Sequence, residues 1–224
     1  MTASIRADFF DLYGTLLDLG PLSDTCEVVA PGRGELLART WRAEQLRSTW
    51  LRTVMGAWAD FEIVTADALS WAARSMAVDP DHASAVLGGA FDRLPVRLEA
   101  RPVLEALRAA GLPLGILSNG STPMLARAVA GAGLADLFGQ VISVDEVERY
   151  KPHPAVYGLA VTASGQEPSS LGFVSANDWD AAGAAWFGFR VAWLRPEGSA
   201  DPPSLGGPTP VAAAWADLPG LFGP

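Results

Sequence analysis

The chain has 224 residues, 50% of them apolar and 18% charged, with a formal net charge of −9. This composition excludes an intrinsically disordered chain, and no apolar run approaches the roughly 18 residues of a membrane span. The acidic balance repels polyanions, so nucleic acid is not an expected partner. The opening MTASIRADFF lacks the basic segment and apolar stretch of a signal peptide. The single cysteine, Cys26, and the two histidines, His82 and His153, point to a reducing cytoplasm, with neither a disulfide nor a zinc site.

In chain order, Ile5–Phe10 reads as a strand and Asp11–Thr15 as the turn after it. Gly20-Pro21 and Pro31–Gly34 are loop punctuation. From Glu35 to Phe61 the pattern is helical: Leu37 and Trp41, then Trp50, Val54 and Trp58, recur at four-residue steps, with Leu51 and Met55 beside them. Thr65 is read as the cap of the next helix. Asp79-Pro80 ends that helix and starts another, Asp81 to Phe91, so about residues 17–95 are expected to be all-helical.

The texture then changes. Val103, Leu104 and Leu107 form a short helix ending at Gly111, and Leu112–Leu117 is a buried parallel strand. Ser121 caps a helix with Pro123 in its first turn. A strand over 141–144, a helix over 154–163, a strand over 171–174, a helix over 180–187 and a strand over 190–194 follow. Residues 196–210, rich in proline and glycine, read as a surface loop, and 211–222 closes the chain with a short helix. The expected class is α/β: a Rossmann-like, doubly wound parallel sheet from 1–16 and 97–224, interrupted after its first strand by a helical cap over 17–96.

Four polar clusters follow apolar segments: Asp11 with Tyr13 and Thr15; Ser118-Asn119-Gly120; Tyr150-Lys151-Pro152; and Ser175 through Asp180. Right-handed crossovers between parallel strands bring all four to the carboxyl edge of the sheet, where open α/β sheets bind ligands. An insert after the first strand lies over that edge as a lid. A carboxylate, a hydroxyl, an amine and a second carboxylate thereby converge, which is a nucleophile with charge partners rather than a cradle of glycine amides.

Asp11-x-Tyr13-Gly14-Thr15, Ser118-Asn119-Gly120, Lys151-Pro152 and the acidic cluster ending in Asp180 resemble the four motifs of the haloacid dehalogenase superfamily. The phrases FDLYGTL, RAEQL, TWL, MGAWADF, ILSNGS, YKPHPAVY and VSANDWDAAGA are similar, in order and spacing, to those of the L-2-haloacid dehalogenases, from about Ile5 to Pro196. The resemblance implies a cofactor-free enzyme that converts (S)-2-haloacids into (R)-2-hydroxyacids and halide. Asp11 attacks the halogen-bearing carbon with inversion, and water activated by Asp180 hydrolyses the resulting ester. Lys151 keeps the nearby carboxylates ionised, and Thr15, Ser175 and Asn177 orient them. Ser118, with Lys151, receives the substrate carboxylate, and Arg42 and Asn119 receive the halide. Leu46, Phe61 and Trp179 shape the pocket. Tyr13 and Tyr157 belong to the same set, although packing fits both equally. The expected partners are a small 2-haloalkanoic acid and a second copy of the chain, as a homodimer.

Two positions separate this reading from the superfamily's phosphatases. The acid that protonates an alkoxide two residues after the nucleophile is replaced by Tyr13, and the aspartate that holds magnesium by Ala176. Neither a general acid of that type nor a metal is therefore expected. Taken alone, the tryptophans at 41, 50 and 58 are core or dimer surface, Cys26 is inert and His153 is a loop residue.

Three departures bear on substrate range. Asp8 lies in the first strand, where it either reaches water at the strand start or pairs with an arginine. Ala43 stands where relatives often carry glutamine. Asp178 either perturbs Asp180 or faces solvent. Ring opening of azetidine-2-carboxylate, defluorination, and non-catalytic binding on the same fold stand beside the dehalogenase reading.

Overall fold

The computed structural model describes residues 4–195 and 207–223. Its sheet has six parallel strands in the order β3-β2-β1-β4-β5-β6. The strands are β1 Ala7–Phe10, β2 Leu114–Ser118, β3 Gln140–Ser143, β4 Leu171–Ser175, β5 Arg190–Leu194 and β6 Val211–Ala213. β1, β2 and β4 are buried along their whole length, as the inner strands of a parallel sheet covered on both faces must be. The chain winds outward from β1 to β3, returns to lay β4 against the other side of β1, and continues to β6. The order thus reverses between β1 and β4, and the crevice beyond their carboxyl ends is where such sheets receive ligands.

Between β1 and β2 stand α1 Leu22–Val29, α2 Gly34–Met55, α3 Phe61–Ser75, α4 Pro80–Leu87, a 3-10 turn Ala90–Arg93, and α5 Ala100–Ala109. The rest of the core carries α6 Thr122–Gly131, α7 Pro154–Ser164, α8 Asp178–Phe187 and α9 Leu218–Phe222. The two connections between the helical insert and the core run side by side. Leu17 pairs with Val96, Asp18 N–H donates to Pro95 O at 2.8 Å, and Arg97 N–H to Leu16 O at 2.9 Å.

Several local expectations are corrected. The long helix stops at Met55 rather than Phe61, because Gly56 takes a left-handed conformation (φ 68°) that turns the chain out of the helix. The cap of α3 is Asp60, whose Oδ1 accepts from Ile63 N–H at 2.9 Å; Thr65 lies inside the helix. α4 ends at Leu87 and hands over to the 3-10 turn. α8 begins at Asp178, so Asp178 and Asp180 both lie in its first turn. Ser121 caps α6 as expected, and α4 starts at Pro80 with Asp79 as its cap. The expected loop over 196–210 lies for the most part outside the described residues, and the closing segment contains the edge strand β6 as well as a helix.

Asp8 contradicts both of its expected environments. It is fully buried within β1 and does not reach the surface, and among the described residues no side chain bonds its carboxylate and no arginine pairs with it; the Phe9 backbone N–H is the one group that opposes the effect of burial. Burial holds its pKa well above the usual carboxylate range. Its neighbour across the ladder is Gly172, where a Cβ would come within 2.4 Å of Asp8 Oδ1, so the glycine makes the room the carboxyl needs.

Candidate active site

Asp11 follows the last residue of β1 and continues its ladder, donating N–H to Val174 O at 3.0 Å. The chain then folds back on itself: Thr15 N–H and Leu17 N–H both donate to Leu12 O, and Gly14 supplies the positive φ of 89° that the turn requires. This turn sets Thr15 Oγ1 2.8 Å from Asp11 Oδ2. Asn177 Nδ2, at the N-terminus of α8, donates to the same oxygen at 2.8 Å. Asp11 Oδ1 accepts from Lys151 Nζ at 3.1 Å. A carboxylate at the switch point is thus fixed by three side chains from three segments, and Thr15 Oγ1 also accepts from Ala176 N–H at 2.9 Å.

Lys151 is fully buried between two carboxylates, with its Nζ 2.9 Å from Asp180 Oδ2. Its backbone N–H donates to Asn119 Oδ1 at 2.9 Å, which ties the loop after β2 to the lysine. Asp180, also fully buried, accepts from Ser175 Oγ at 3.1 Å and from Tyr157 OH at 2.9 Å. Burial pushes the Asp180 carboxyl up to about 6, against the attraction of Lys151 that pulls it down. Desolvation is the larger of the two effects, and the carboxylate beside Lys151 is still ionised at neutral pH. Tyr157 touches Asp180 rather than the crevice and packs edge-on against Phe173 and Phe189, so it positions the carboxylate.

The insert supplies the opposite wall. Arg42 on α2 is half-buried by area, yet its surroundings desolvate the guanidinium enough to push it down to about 10, with Asp11 and Tyr13 opposing that shift. It makes no hydrogen bond to the carboxylate cluster; Nη1 donates to Gln45 Oε1. Phe61 is buried and stacks on Tyr13, ring centroids 6.0 Å apart. The Tyr13 hydroxyl is buried without a hydrogen-bond partner among the described residues, and burial raises its pKa. Trp179 meets Trp50 of α2 across the seam. Leu46 lies on α2 one turn beyond Arg42, half-buried, with no polar tie to the cluster. Tyr150 pins the insert to the core: its OH donates to Ala59 O at 2.6 Å, and its N–H to Thr53 Oγ1 at 3.0 Å.

The structure thus gathers Asp11, Thr15, Lys151, Ser175, Asn177, Asp180 and Tyr157 into one hydrogen-bonded network. Asn119 joins through the lysine backbone. Ser118 ends β2 with its Oγ accepting from Gly120 N–H at 3.2 Å. Asp178 is exposed and turned to its own helix, accepting from Trp179 N–H at 2.8 Å. His153 caps α7 through Nδ1, and burial pushes the Cys26 thiol up to about 11. Sequence reasoning missed Gln45, whose placement three residues after Arg42 on one helix was the available signal. It also missed Trp50 as a partner of Trp179, because the two are far apart in the chain.

The family model for haloacid dehalogenase-like hydrolases matches residues 5–188. The chain is 43% identical over 197 residues to haloacetate dehalogenase H-2 of Moraxella sp. (strain B), covering 88% of each chain. It is 41% identical over 196 residues to the (S)-2-haloacid dehalogenase of Pseudomonas sp. (strain YL), covering 87% of this chain and 84% of that one. Among solved structures, the L-2-haloacid dehalogenase of Xanthobacter autotrophicus with chloropropionic acid covalently bound superimposes with a TM-score of 0.88. It is 36% identical, and the match covers 97% of this chain and 98% of that one.

Proposed function

The chain belongs to the haloacid dehalogenase-like hydrolases, and within that family we propose that it hydrolyses (S)-2-haloacids to (R)-2-hydroxyacids and halide. The observation that carries this reading is the asymmetric hold on Asp11. Oδ2 accepts from Thr15 and Asn177, whereas Oδ1 accepts from Lys151 alone. Oδ1 is therefore the more nucleophilic oxygen. It forms a bond to the halogen-bearing carbon while the carbon–halogen bond breaks and its electron pair leaves on the halide, with inversion. Halide is a weak base and needs no proton, in keeping with Tyr13 where an acid would otherwise stand.

In the second step Asp180 takes a proton from water, which attacks the ester carbon of Asp11. Negative charge then develops on Oδ2, where the Thr15 and Asn177 donors already point, an oxyanion hole in place before the reaction. The ester C–O bond breaks, the leaving alkoxide oxygen (the former Oδ1) takes the proton back from Asp180 to become the hydroxyl of the hydroxyacid, and Asp11 keeps the oxygen from water. Ser118 with Lys151 takes the substrate carboxylate, Arg42 and Asn119 the halide, and Leu46, Phe61, Tyr13 and Trp179 line the pocket. The covalent adduct in the Xanthobacter relative supports an ester intermediate.

The donors around Asp11 are an ammonium, a hydroxyl and an amide N–H, a set that occupies the carboxylate as a cation would. The reaction is accordingly proposed to be metal-independent, so exhaustive chelation should leave the rate unchanged. A cytoplasmic homodimer completes the proposal, in keeping with Val54, Met55 and Trp71 standing exposed on α2 and α3. Light scattering should give about twice the 23.5 kDa chain mass.

The deciding experiment is a single turnover in heavy-oxygen water with enzyme in excess over 2-chloropropionate. The expected product is unlabelled lactate, with heavy oxygen on Asp11. Labelled lactate from a first turnover that leaves Asp11 light would replace the ester route by direct attack of water.

A further inference from the structure

Arg42 has a single hydrogen-bond partner among the described residues, and that partner is neutral: Nη1 donates to Gln45 Oε1 at 2.5 Å. Arg33, Arg74 and Arg93 of the insert also bond neutral groups, a carbonyl or a hydroxyl, whereas three others at the insert and its seam are ion-paired. Arg47 pairs with Glu44, Arg52 with Asp67, and Arg127 with Glu62 and Asp92. Arg42, the arginine turned to the Asp11 side of the crevice, is held by an amide instead.

That amide is itself locked. Gln45 is fully buried, and its Nε2 donates to Thr65 Oγ1 at 2.7 Å. The Thr65 hydroxyl spends its hydrogen on Phe61 O at 2.5 Å, so towards Gln45 it can only accept. The amide is thereby fixed with Oε1 towards Arg42. Trp41 Nε1 holds the same turn of α3 by donating to Thr65 O at 2.9 Å. The chain of bonds runs from α3 through Gln45 to the arginine without a formal charge at any link.

We infer that Gln45 is a positioning residue whose neutral carbonyl oxygen holds Arg42 at the crevice without forming an ion pair with it, so that the guanidinium charge remains available to the departing halide. A cation in a half-buried site acts at low effective dielectric, so its attraction for an anion is strong. A carboxylate in place of the amide would form a charge-assisted pair with Arg42 and quench that attraction. An apolar residue would leave the arginine without its anchor. The inference rests on the dehalogenase reading for the identity of the anion, whereas the hold on Arg42 is a matter of geometry.

The test compares wild type, Gln45→Glu and Gln45→Leu in the full chain. Three readouts serve: chloride inhibition of 2-chloropropionate turnover, the kcat ratio between 2-bromo- and 2-chloropropionate, and calorimetric binding of bromide to the resting protein. Gln45→Glu should weaken chloride inhibition and bromide binding by about tenfold or more. It should also raise the bromo-to-chloro ratio, because the poorer leaving group depends more on the cation. Gln45→Leu should move the same readouts in the same direction by a smaller factor, and it carries the test alone if the glutamate variant does not fold.

A merely structural role would lower turnover of both substrates by one factor, with chloride inhibition and the ratio unchanged, and that result overturns the inference. Equal bromide binding by wild type and the variants overturns it too, as does wild type binding no bromide. Absence of halide release by wild type from either substrate would instead remove the proposed reaction, and bromide binding would still decide the role of Gln45.

Discussion

Trp50 of α2 meets Trp179 of α8 edge to face, with ring centroids 5.6 Å apart and planes at 75°. One ring belongs to the insert and the other to the turn that carries Asn177 and Asp180, so the pair bridges the two walls of the crevice. Trp50 keeps 37% of its surface exposed, which places the contact at the rim. An edge-to-face pair contributes about 0.5–1.5 kcal/mol, so Trp50→Ala should raise KM for 2-chloropropionate by about threefold to tenfold. Trp50→Phe should keep most of the wild-type value. Steady-state kinetics on the three proteins checks this; an unchanged KM in Trp50→Ala separates the pair from substrate binding.

As the proposed base, Asp180 should set an acid limit on hydrolysis. Burial raises its pKa to about 6, and it accepts the water proton only when ionised. Activity is thus present above that value and fades as pH falls through it. The effect on folding has the opposite sense. The folded chain binds this proton more readily than the unfolded one, so ionising Asp180 costs stability as pH rises from about 4 towards 6. Decay of the ester measured by rapid quench should show an apparent midpoint near 6, which belongs to the Asp180–Lys151–Asp11 cluster as a whole. A flat profile across that interval would assign the base elsewhere.

Lys151 neutralises two carboxylates that are shut away from water. Lys151→Met should abolish turnover and cost about 3–5 kcal/mol of stability, because Asp180 is left buried without a counter-charge. Adding Asp180→Asn to that variant should restore part of the loss without restoring activity. Urea titration of the single and double variants measures both effects; a loss from the single variant that the double variant does not relieve would mean that Lys151 stabilises by packing rather than by charge.

Asp8 is a cost the fold carries. Its pKa is raised by burial, so the folded state holds a proton that the unfolded chain releases near pH 4. Stability falls as pH rises above that point. Asp8→Ala removes a buried polar group whose desolvation costs about 1–3 kcal/mol, so it should raise Tm at pH 8, with a gain that shrinks towards pH 5. Thermal melts at the two pH values check the sign; an equal or negative effect at pH 8 would point to a partner for the carboxyl.

The sheet was legible because its strands are short apolar runs separated by helices with hydroxyl caps and proline starts, as at Ser121-Thr122-Pro123. The carboxylate–lysine cluster was legible because each member sits next to a strand end, and topology brings strand ends together. What stayed hidden depends on contacts that no local pattern encodes. Thr65 looks like a cap, yet its hydroxyl serves Gln45 and Phe61 O inside α3. β6 is a three-residue edge strand with two exposed positions, too short to print an alternation. Asp8 breaks the apolar run of β1, and only the register with Gly172 shows where its carboxyl goes. For Asp180 the sequence offers a neighbouring lysine but not the depth of burial that outweighs it.

The insertion point after β1 separates the two halves of the chemistry along the chain. Groups proposed to make and break the ester are set on the sheet and α8, while the arginine proposed to meet the leaving group stands on α2, between two crossings that lie side by side at Leu17 and Val96. Selection can therefore reshape the anion's reception by altering about eighty contiguous residues while the carboxylates, the lysine and their register stay as they are. A lineage with this layout can trade one departing group for another without relearning how to be a nucleophile.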